Sequence, residues 1–446
     1  MGDVAAASKR RRDGPESPAM RHDTSLDHIS RLPDEILGTI ISLIPDTKDA
    51  GRTTVLSSRW RHLWRSAPLN LAVNRRLSKR KHDCIAIVSK ILAAHRGPAR
   101  RLSLGAIRLS RDRYAKFDGW FQSPALNGLE ELDFSGCFNQ PAPLPRSALR
   151  FATTLQAVSI HACDFRDVDD VCFPRLKQLK LSRIIISETA LCRLITSCTA
   201  LQSLELHGIR EVGIIRIISS TLRSIGVSAW SELVIEDAPC LERLISRVPF
   251  GLFHGQMKVR VIAAPKLKVL GCLTSQISEL VIGSVIIKEM ILVSFTMSVR
   301  TVKVLAVEFM GPNLDAILGF LRCFPCLEKL YIHLHLNMDM KNVRQHDTLV
   351  DPIECLDLHL GEIVLYNYQG KKRHVDFARF FVLNARVLKT MKFGVYGTGC
   401  NKIWMANQHR QLQLDNRASC HAQFDFKRNY VTSSSFSHNN KHIYDT

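Results

Sequence analysis

The chain has 446 residues, 46% of them hydrophobic, and 61 Lys and Arg against 41 Asp and Glu give it a formal net charge of +20. That length supports two or more domains or one long repeat array, and that apolar content excludes disorder throughout. Thirteen cysteines, an odd number scattered singly through apolar segments, exclude the disulfide framework of a small secreted domain and read as reduced, mostly buried thiols.

Residues 1–25 mix Ala, Ser, Pro and charge without apolar periodicity, which is the composition of a solvated tail. Within it Lys9, Arg10, Arg11 and Arg12 fit either a nuclear import signal or a plain solvated charge run, so nucleus and cytoplasm both stay open. No signal-peptide pattern opens the sequence, and its most apolar segment, Leu280–Phe295, is interrupted by Lys288 and Glu289. The expectation is a soluble intracellular protein with no membrane partner.

From Leu26 the pattern turns helical. "RLPDEILGTIISLIP" places Pro33 in a first turn, Asp34 and Glu35 at the positive end of the dipole, and Pro45 as the stop. Ile36, Leu37, Ile40, Ile41, Leu43 and Ile44 cover too much of that helix for a single neighbour. A second helix, "DTKDAGRTTVL", and a third, "SRWRHLWR" begun by Ser57 or Ser58, follow at once. Three helices in about 40 residues make a small core, so some of this apolar surface is expected to meet another chain.

The excess charge is local. Between Arg52 and Lys116 stand seventeen Lys or Arg and two acids, Asp83 and Asp112. Arg59, Arg61, Arg65, Arg75, Arg76, Lys79, Arg80 and Lys81 in this window could face nucleic acid or steer an acidic partner.

Beyond residue 100 an L-x-x-L-x-L phrase recurs, as "LEELDF" (Leu129–Phe134), "LQAVSI" (Leu155–Ile160), "LKQLKL" (Leu176–Leu181), "LQSLEL" (Leu201–Leu206) and "LRSIGV" (Leu222–Val227). It continues as "LERLIS", "LKVLGC", "ISELVI", "LEKLYI", "IECLDL" and "LKTMKF". The first five starts are 26, 21, 25 and 21 residues apart, inside the period of leucine-rich repeats. The last two apolar positions of each phrase then point into a solenoid, and the residues between them line a short parallel strand. "VDFARFFVLNARVL" (Val375–Leu388) reads as an amphipathic helix before the last strand.

Asp27–Trp64, as "D-x-I-S-x-L-P-D-E-I-L … T-x-V-L-S-x-R-W-R-x-L-W", resembles the plant F-box. "CLEKLYIHL", "IECLDLHLGEIVLYNYQG", "VDFARFFVLNARVLKTMKFGV" and "WMANQHRQLQLDNRAS" resemble the FBD region of plant F-box proteins. The resemblance implies an α/β architecture, a short three-helix F-box followed by a leucine-rich-repeat solenoid with parallel strands. Its parts are a basic tail over 1–25, the F-box over 26–66, a basic linker and solenoid start over 67–125, repeats over 126–325, the FBD region over 326–428 and a polar tail over 429–446.

The same resemblance implies a non-catalytic substrate-recognition subunit of a Skp-cullin-F-box ubiquitin ligase, with no cofactor. Its partners would be a Skp-type adaptor, cullin through that adaptor, and an unidentified protein target. Carried over by position, the adaptor-facing set is Leu32, Pro33, Ile36, Leu37, Ile40, Leu43, Val55, Leu56, Trp60, Leu63 and Trp64. Several of these, Leu43 and Leu56 above all, equally fit packing among the three helices. The alternative is a basic repeat protein that binds nucleic acid or an acidic partner without ligase assembly.

No phosphate loop, nucleophile elbow or H-E-x-x-H helix occurs in the sequence. "CFPC" (Cys323–Cys326) lacks a second ligand pair and reads as core cysteine, and His333 and His335 lack a third ligand and read as solvated strand surface. No metal is expected. Candidate concave-face residues are Glu131, Asp133, Ser159, His161, Gln178, Lys180, Glu205, His207, Lys329, Tyr331, Asp357 and His359, and their mixed charge names no ligand class.

Overall fold

The computed structural model describes residue 29 and residues 31–74, 81–166, 171–228, 231–246, 256–309, 314–334, 352–396 and 400–428. The Lys9–Arg12 run, both tails, Arg75, Arg76, Lys79, Arg80 and His335 lie outside the described residues.

Helices α1 (Asp34–Leu43), α2 (Thr47–Arg52) and α3 (Ser58–Ser66) come first among the described residues. Pro33 stands at the N-cap of α1, one position ahead of the first turn. The Asp46 side chain accepts from the N–H groups of Lys48 and Asp49, and Ser57 accepts from that of Trp60, so each cap satisfies donors the helix leaves over. The second helix is shorter than its pattern predicts. It ends at Arg52, and a tight 3-10 turn over Thr53–Val55 follows, where Gly51 and the β-branched Thr53, Thr54 and Val55 make a poor helix interior.

Among the described residues, fourteen strands form one continuous parallel sheet. They are β1 (Leu69–Ala72), β2 (Ala99–Leu109), β3 (Glu131–Gly136), β4 (Ala157–His161), β5 (Gln178–Ser182), β6 (Ser203–His207) and β7 (Ser224–Ser228). Then come β8 (Arg243–Ser246), β9 (Val269–Thr274), β10 (Val304–Phe309), β11 (Lys329–Leu334), β12 (Glu362–Tyr368), β13 (Thr390–Val395) and β14 (Gln423–Arg428). Register is in line through the early repeats, with Glu131, Ala157, Gln178, Ser203 and Ser224 as successive partners. Leu132 and Phe134 of β3 are buried while Glu131, Asp133 and Ser135 face outward, as the repeat phrase predicts.

The convex side is covered in two ways. Helices α4 (Lys81–Ala94), α5 (Tyr114–Phe121), α6 (Glu188–Ser197), α7 (Leu314–Cys323), α8 (Glu354–Leu358), α9 (Lys372–Asn384) and α10 (Lys402–Gln411) belong to the outer repeats. The middle repeats use a six-stranded sheet instead. Its strands Ile214–Ile218, Glu232–Asp237, Met257–Val261 and Ile277–Ile282 are parallel, and Val285–Lys288 and Ile291–Ser294 close it as antiparallel strands. One apolar core runs between the layers from Leu69 to Ala422, with Phe121 centred 5.7 Å from Phe134 and 6.3 Å from Phe151.

Two repeat phrases do not supply main-sheet strands. "ISELVI" starts ten residues after "LKVLGC", too close for another repeat, and forms the convex-side strand Ile277–Ile282. "IECLDL" falls largely in α8, and the strand is taken by the following "EIVLYNY", richer in β-branched and aromatic residues. The stretch 67–125 holds β1, α4, β2 and α5, and their apolar residues belong to the main core.

The helical unit docks directly on the first strand. The Thr47 hydroxyl accepts from the Ala72 N–H at 2.6 Å and lies 3.0 Å from the Asn70 carbonyl oxygen, which binds α2 to β1. The His95 Nε2 meets the Ala67 carbonyl at 3.0 Å, and its ring stands edge-on to Trp64 at 5.8 Å. The N–H groups of Arg96 and Gly97 both donate to the Arg65 carbonyl at the end of α3, at 3.0 and 3.1 Å.

Candidate functional surfaces

The adaptor-facing set splits by burial. Leu37 is 0% exposed, Trp60 6% and Leu63 7%, and with Ile41, Ala50 and Ala67 they form the core of the three-helix unit. Leu32 and Trp64 pack partly against that core. Ile36, Ile40 and Leu43 form the outer stripe of α1, with Leu43 65% exposed, and Val55 (78%) and Leu56 (64%) project from the turn before α3. Pro33 is exposed beside the stripe. This corrects the direct-contact reading for Leu37, Trp60 and Leu63, whose side chains are consumed by helix packing. It also removes the packing alternative for Leu43 and Leu56.

Charge around this surface is partly neutralised. Arg59 pairs with Asp34 at 2.5 Å and donates to the Leu32 carbonyl at 2.6 Å, tying α3 to the start of α1, and Arg52 pairs with Asp49 at 2.8 Å. Further along the basic window, Arg100 and Arg101 pair with Glu130 and Glu131 of the next repeat at 3.0 and 3.4 Å.

The concave face changes character along the solenoid. Its first half is polar: Ser103 donates to Asp133 at 2.7 Å, Lys180 pairs with Glu205 at 3.0 Å, and the His207 ring sits between Glu205 at 3.3 Å and Ser228 at 3.0 Å. Its second half is apolar. Ile245, Val269, Cys272, Val304, Ala306, Tyr331, Val364 and Tyr366 are buried together on the side of the sheet opposite the main core.

One lateral row there crosses four strands as Thr274, Glu308, His333 and Tyr366. The His333 ring stacks on Tyr366 at 4.3 Å, and burial holds His333 down at about 3. This corrects the solvated reading of His333, because the Tyr366 ring of the adjacent strand covers it. Burial alone raises the Glu308 carboxyl to about 7.

Ten of the twelve predicted concave residues stand on main-sheet strands, and their strand positions alternate with the core as expected. Asp357 and His359 do not, since they belong to α8 and its C-cap, where Asp357 pairs with Arg386 at 3.4 Å. The apolar concave cluster escaped the sequence reading. Its signal was available in "VLGCLT", "VLAVEF" and "EIVLYNY", where polar alternation is lost and strands read as apolar on both faces.

A family model described as "FBD-associated F-box protein At5g56370, LRR repeats" matches residues 117–332, from α5 into β11. A second, described as "FBD", matches residues 350–393, spanning α8, β12 and α9 and reaching into β13. F-box/FBD/LRR-repeat protein At1g51370 of Arabidopsis thaliana is 24% identical, over 83% of this chain and 90% of the relative. Putative F-box/FBD/LRR-repeat protein At5g22670 of the same plant is 26% identical over 85% and 93%, and putative F-box/FBD/LRR-repeat protein At4g26350 is 34% identical over 41% and 42%. The chain belongs to the plant F-box/FBD/LRR-repeat proteins.

In this F-box/FBD/LRR-repeat chain the "CFPC" pair is buried, and burial pushes the Cys323 thiol up to about 12. Cys326, Glu354 and His359 bring one donor atom each within 4.8 Å of the others, the one such trio among the described residues. Arg300 already grips both Glu354 oxygens, at 2.5 and 3.1 Å, so a guanidinium holds the carboxylate that a cation would need. Among the described residues no helix is long and apolar enough to cross a membrane.

Proposed function

We propose that this chain is the target-recognition subunit of a Skp-cullin-F-box ubiquitin ligase, binding a Skp-type adaptor through its first three helices and a protein target through its solenoid. The observation that carries the reading is the apolar stripe of Ile36, Ile40, Leu43, Val55 and Leu56, left outside a helical unit whose own core is closed. Such a stripe, desolvated by a partner, supplies a few anchors, the best of them costing about 2 kcal/mol or more when truncated. The covalent step belongs to a separate ubiquitin-conjugating enzyme, and this chain contributes proximity. The F-box names of its relatives support the same assignment.

The test is co-purification of the full chain with a Skp-type adaptor. Leu43→Glu with Leu56→Glu is expected to abolish it while leaving the circular-dichroism melt unchanged, because both side chains are exposed. Undiminished binding by that double variant refutes the assigned interface. Trp60→Ala is the contrasting control, expected to lower the melt.

A further inference from the structure

The rim at the C-terminal ends of β2 to β6 gathers cations that find no carboxylate partner among the described residues. Arg108 and His161 stand in one lateral row, Arg108, Ser135, His161, Ser182 and His207. Arg183 follows β5 in a left-handed turn with φ 55°, at the position where the neighbouring repeats carry Ala162 and Gly208. Its guanidinium lies 4.3 Å from the centre of the Phe138 ring, and that of Arg210 lies 5.4 Å from the same ring. Phe138 itself is exposed. His161 is held below its ordinary value, by burial first and then by the charges of Arg183 and Arg108, so like charges crowd this corner.

Nearby acids are engaged elsewhere. Asp164 and Glu211 meet Arg166 at 2.6 and 3.9 Å, Glu205 meets Lys180 and His207, and Asp133 accepts from Ser103. Among the described residues, Arg108, Arg183 and Arg210 have no carboxylate oxygen within 4.0 Å. Asp167, Asp169 and Asp170 lie outside the described residues.

We propose that this rim binds an oxyanion-bearing segment of the target protein, with Arg183 and Arg210 as the fork, Phe138 as the apolar floor and Arg108 as the flanking charge. Guanidinium groups pre-positioned on an aromatic ring match phosphate or carboxylate oxygens through paired N–H donors. A nucleic acid fits less well, because Glu131, Asp133 and Glu205 break the basic track within the same sheet face. A phosphorylated side chain and a run of carboxylates are two sources of the same chemistry. This deepens the reading that the solenoid receives the target, and its test needs no adaptor, so the two can fail separately.

The experiment is fluorescence anisotropy on the full chain with three labelled twelve-residue peptides of one Gly/Ser-rich sequence, carrying three phosphoserines, three glutamates or three serines. The anionic peptides are expected to bind at least about tenfold more tightly than the serine peptide, a difference of about 1.4 kcal/mol. Phosphoserine above glutamate identifies phosphate as the source, and parity identifies carboxylate. Arg183→Gln with Arg210→Gln is expected to bring all three peptides to the serine level with an unchanged melt, and Arg108→Gln to weaken the anionic ones.

Equal binding of the three peptides overturns the proposal, as does an anionic preference that survives the double variant. Single-stranded DNA that outcompetes the phosphoserine peptide overturns it in favour of nucleic acid.

Discussion

Glu308 and His333 are lateral neighbours on β10 and β11, and burial pushes them in opposite directions. Glu308 titrates at about 7 in the fold against 4.5 when free, so the unfolded chain gives up this proton first. The stability tied to Glu308 is therefore complete below pH 4.5 and drains away as pH rises through 7. His333 is held at about 3 against 6.5, so its share is complete above pH 6.5 and drains away as pH falls toward 3. Glu308→Gln is expected to remove an alkaline loss on the order of 2 kcal/mol, read as the change in urea-unfolding free energy between pH 5 and pH 8. The same slope in Glu308→Gln and wild type would show that the carboxyl reaches solvent. His333→Asn leaves the alkaline limb intact and flattens the acid one.

At the level of elements, the junction between the three helices and β1 decides whether the chain moves as one body. Gly97 approaches the end of α3 so closely that an added Cβ would lie 2.2 Å from the Ser66 carbonyl oxygen and 2.8 Å from that of Ala67. Gly97→Ala is expected to push α3 away from the solenoid at a cost of about 1–3 kcal/mol. Hydrogen exchange should then show lost protection at Ala72, whose N–H donates to the Thr47 hydroxyl, and unchanged protection at Val73, which donates to Ser103 of β2, and in β3 to β6; uniform protection would mean the contact yields without cost. Elements were the most legible level of this molecule in sequence. Pro33, Asp46 and Ser57 mark the helix starts, and the L-x-x-L-x-L phrase marks β3 to β7. Facing was less legible. Apolar residues occupy most of the circumference of α1, so periodicity does not separate Leu37 from Ile36, and only the packing of α3 across the helix makes that choice. β1, "LNLA", carries no repeat phrase and exists because Thr47 and β2 supply its partners.

Across the whole molecule, each repeat is stabilised by its sequence neighbours, which makes the solenoid nearly one-dimensional. Neighbouring repeats also pair charge across their boundaries, with Arg100 and Arg101 answered by Glu130 and Glu131, and Arg223 by Glu242 at 3.1 Å. The C-terminal end is closed by an aromatic stack. Phe393 of β13 lies 4.3 Å from Phe426 of β14, nearly parallel to it, and 4.9 Å from Tyr368 of β12, whose hydroxyl donates to Gln408 of α10 at 2.7 Å. Phe393→Ala removes the ring all three elements share, a change worth about 3–5 kcal/mol in a packed core. In a fold whose contacts were long-range this loss would lower stability everywhere. Here it is expected to free the amides of β12 to β14 to exchange with solvent while β2 to β6 and the three N-terminal helices keep their protection. Exchange that accelerates equally in β3 and β13 would show that the fourteen strands unfold as a single unit and that the array transmits strain along its full length.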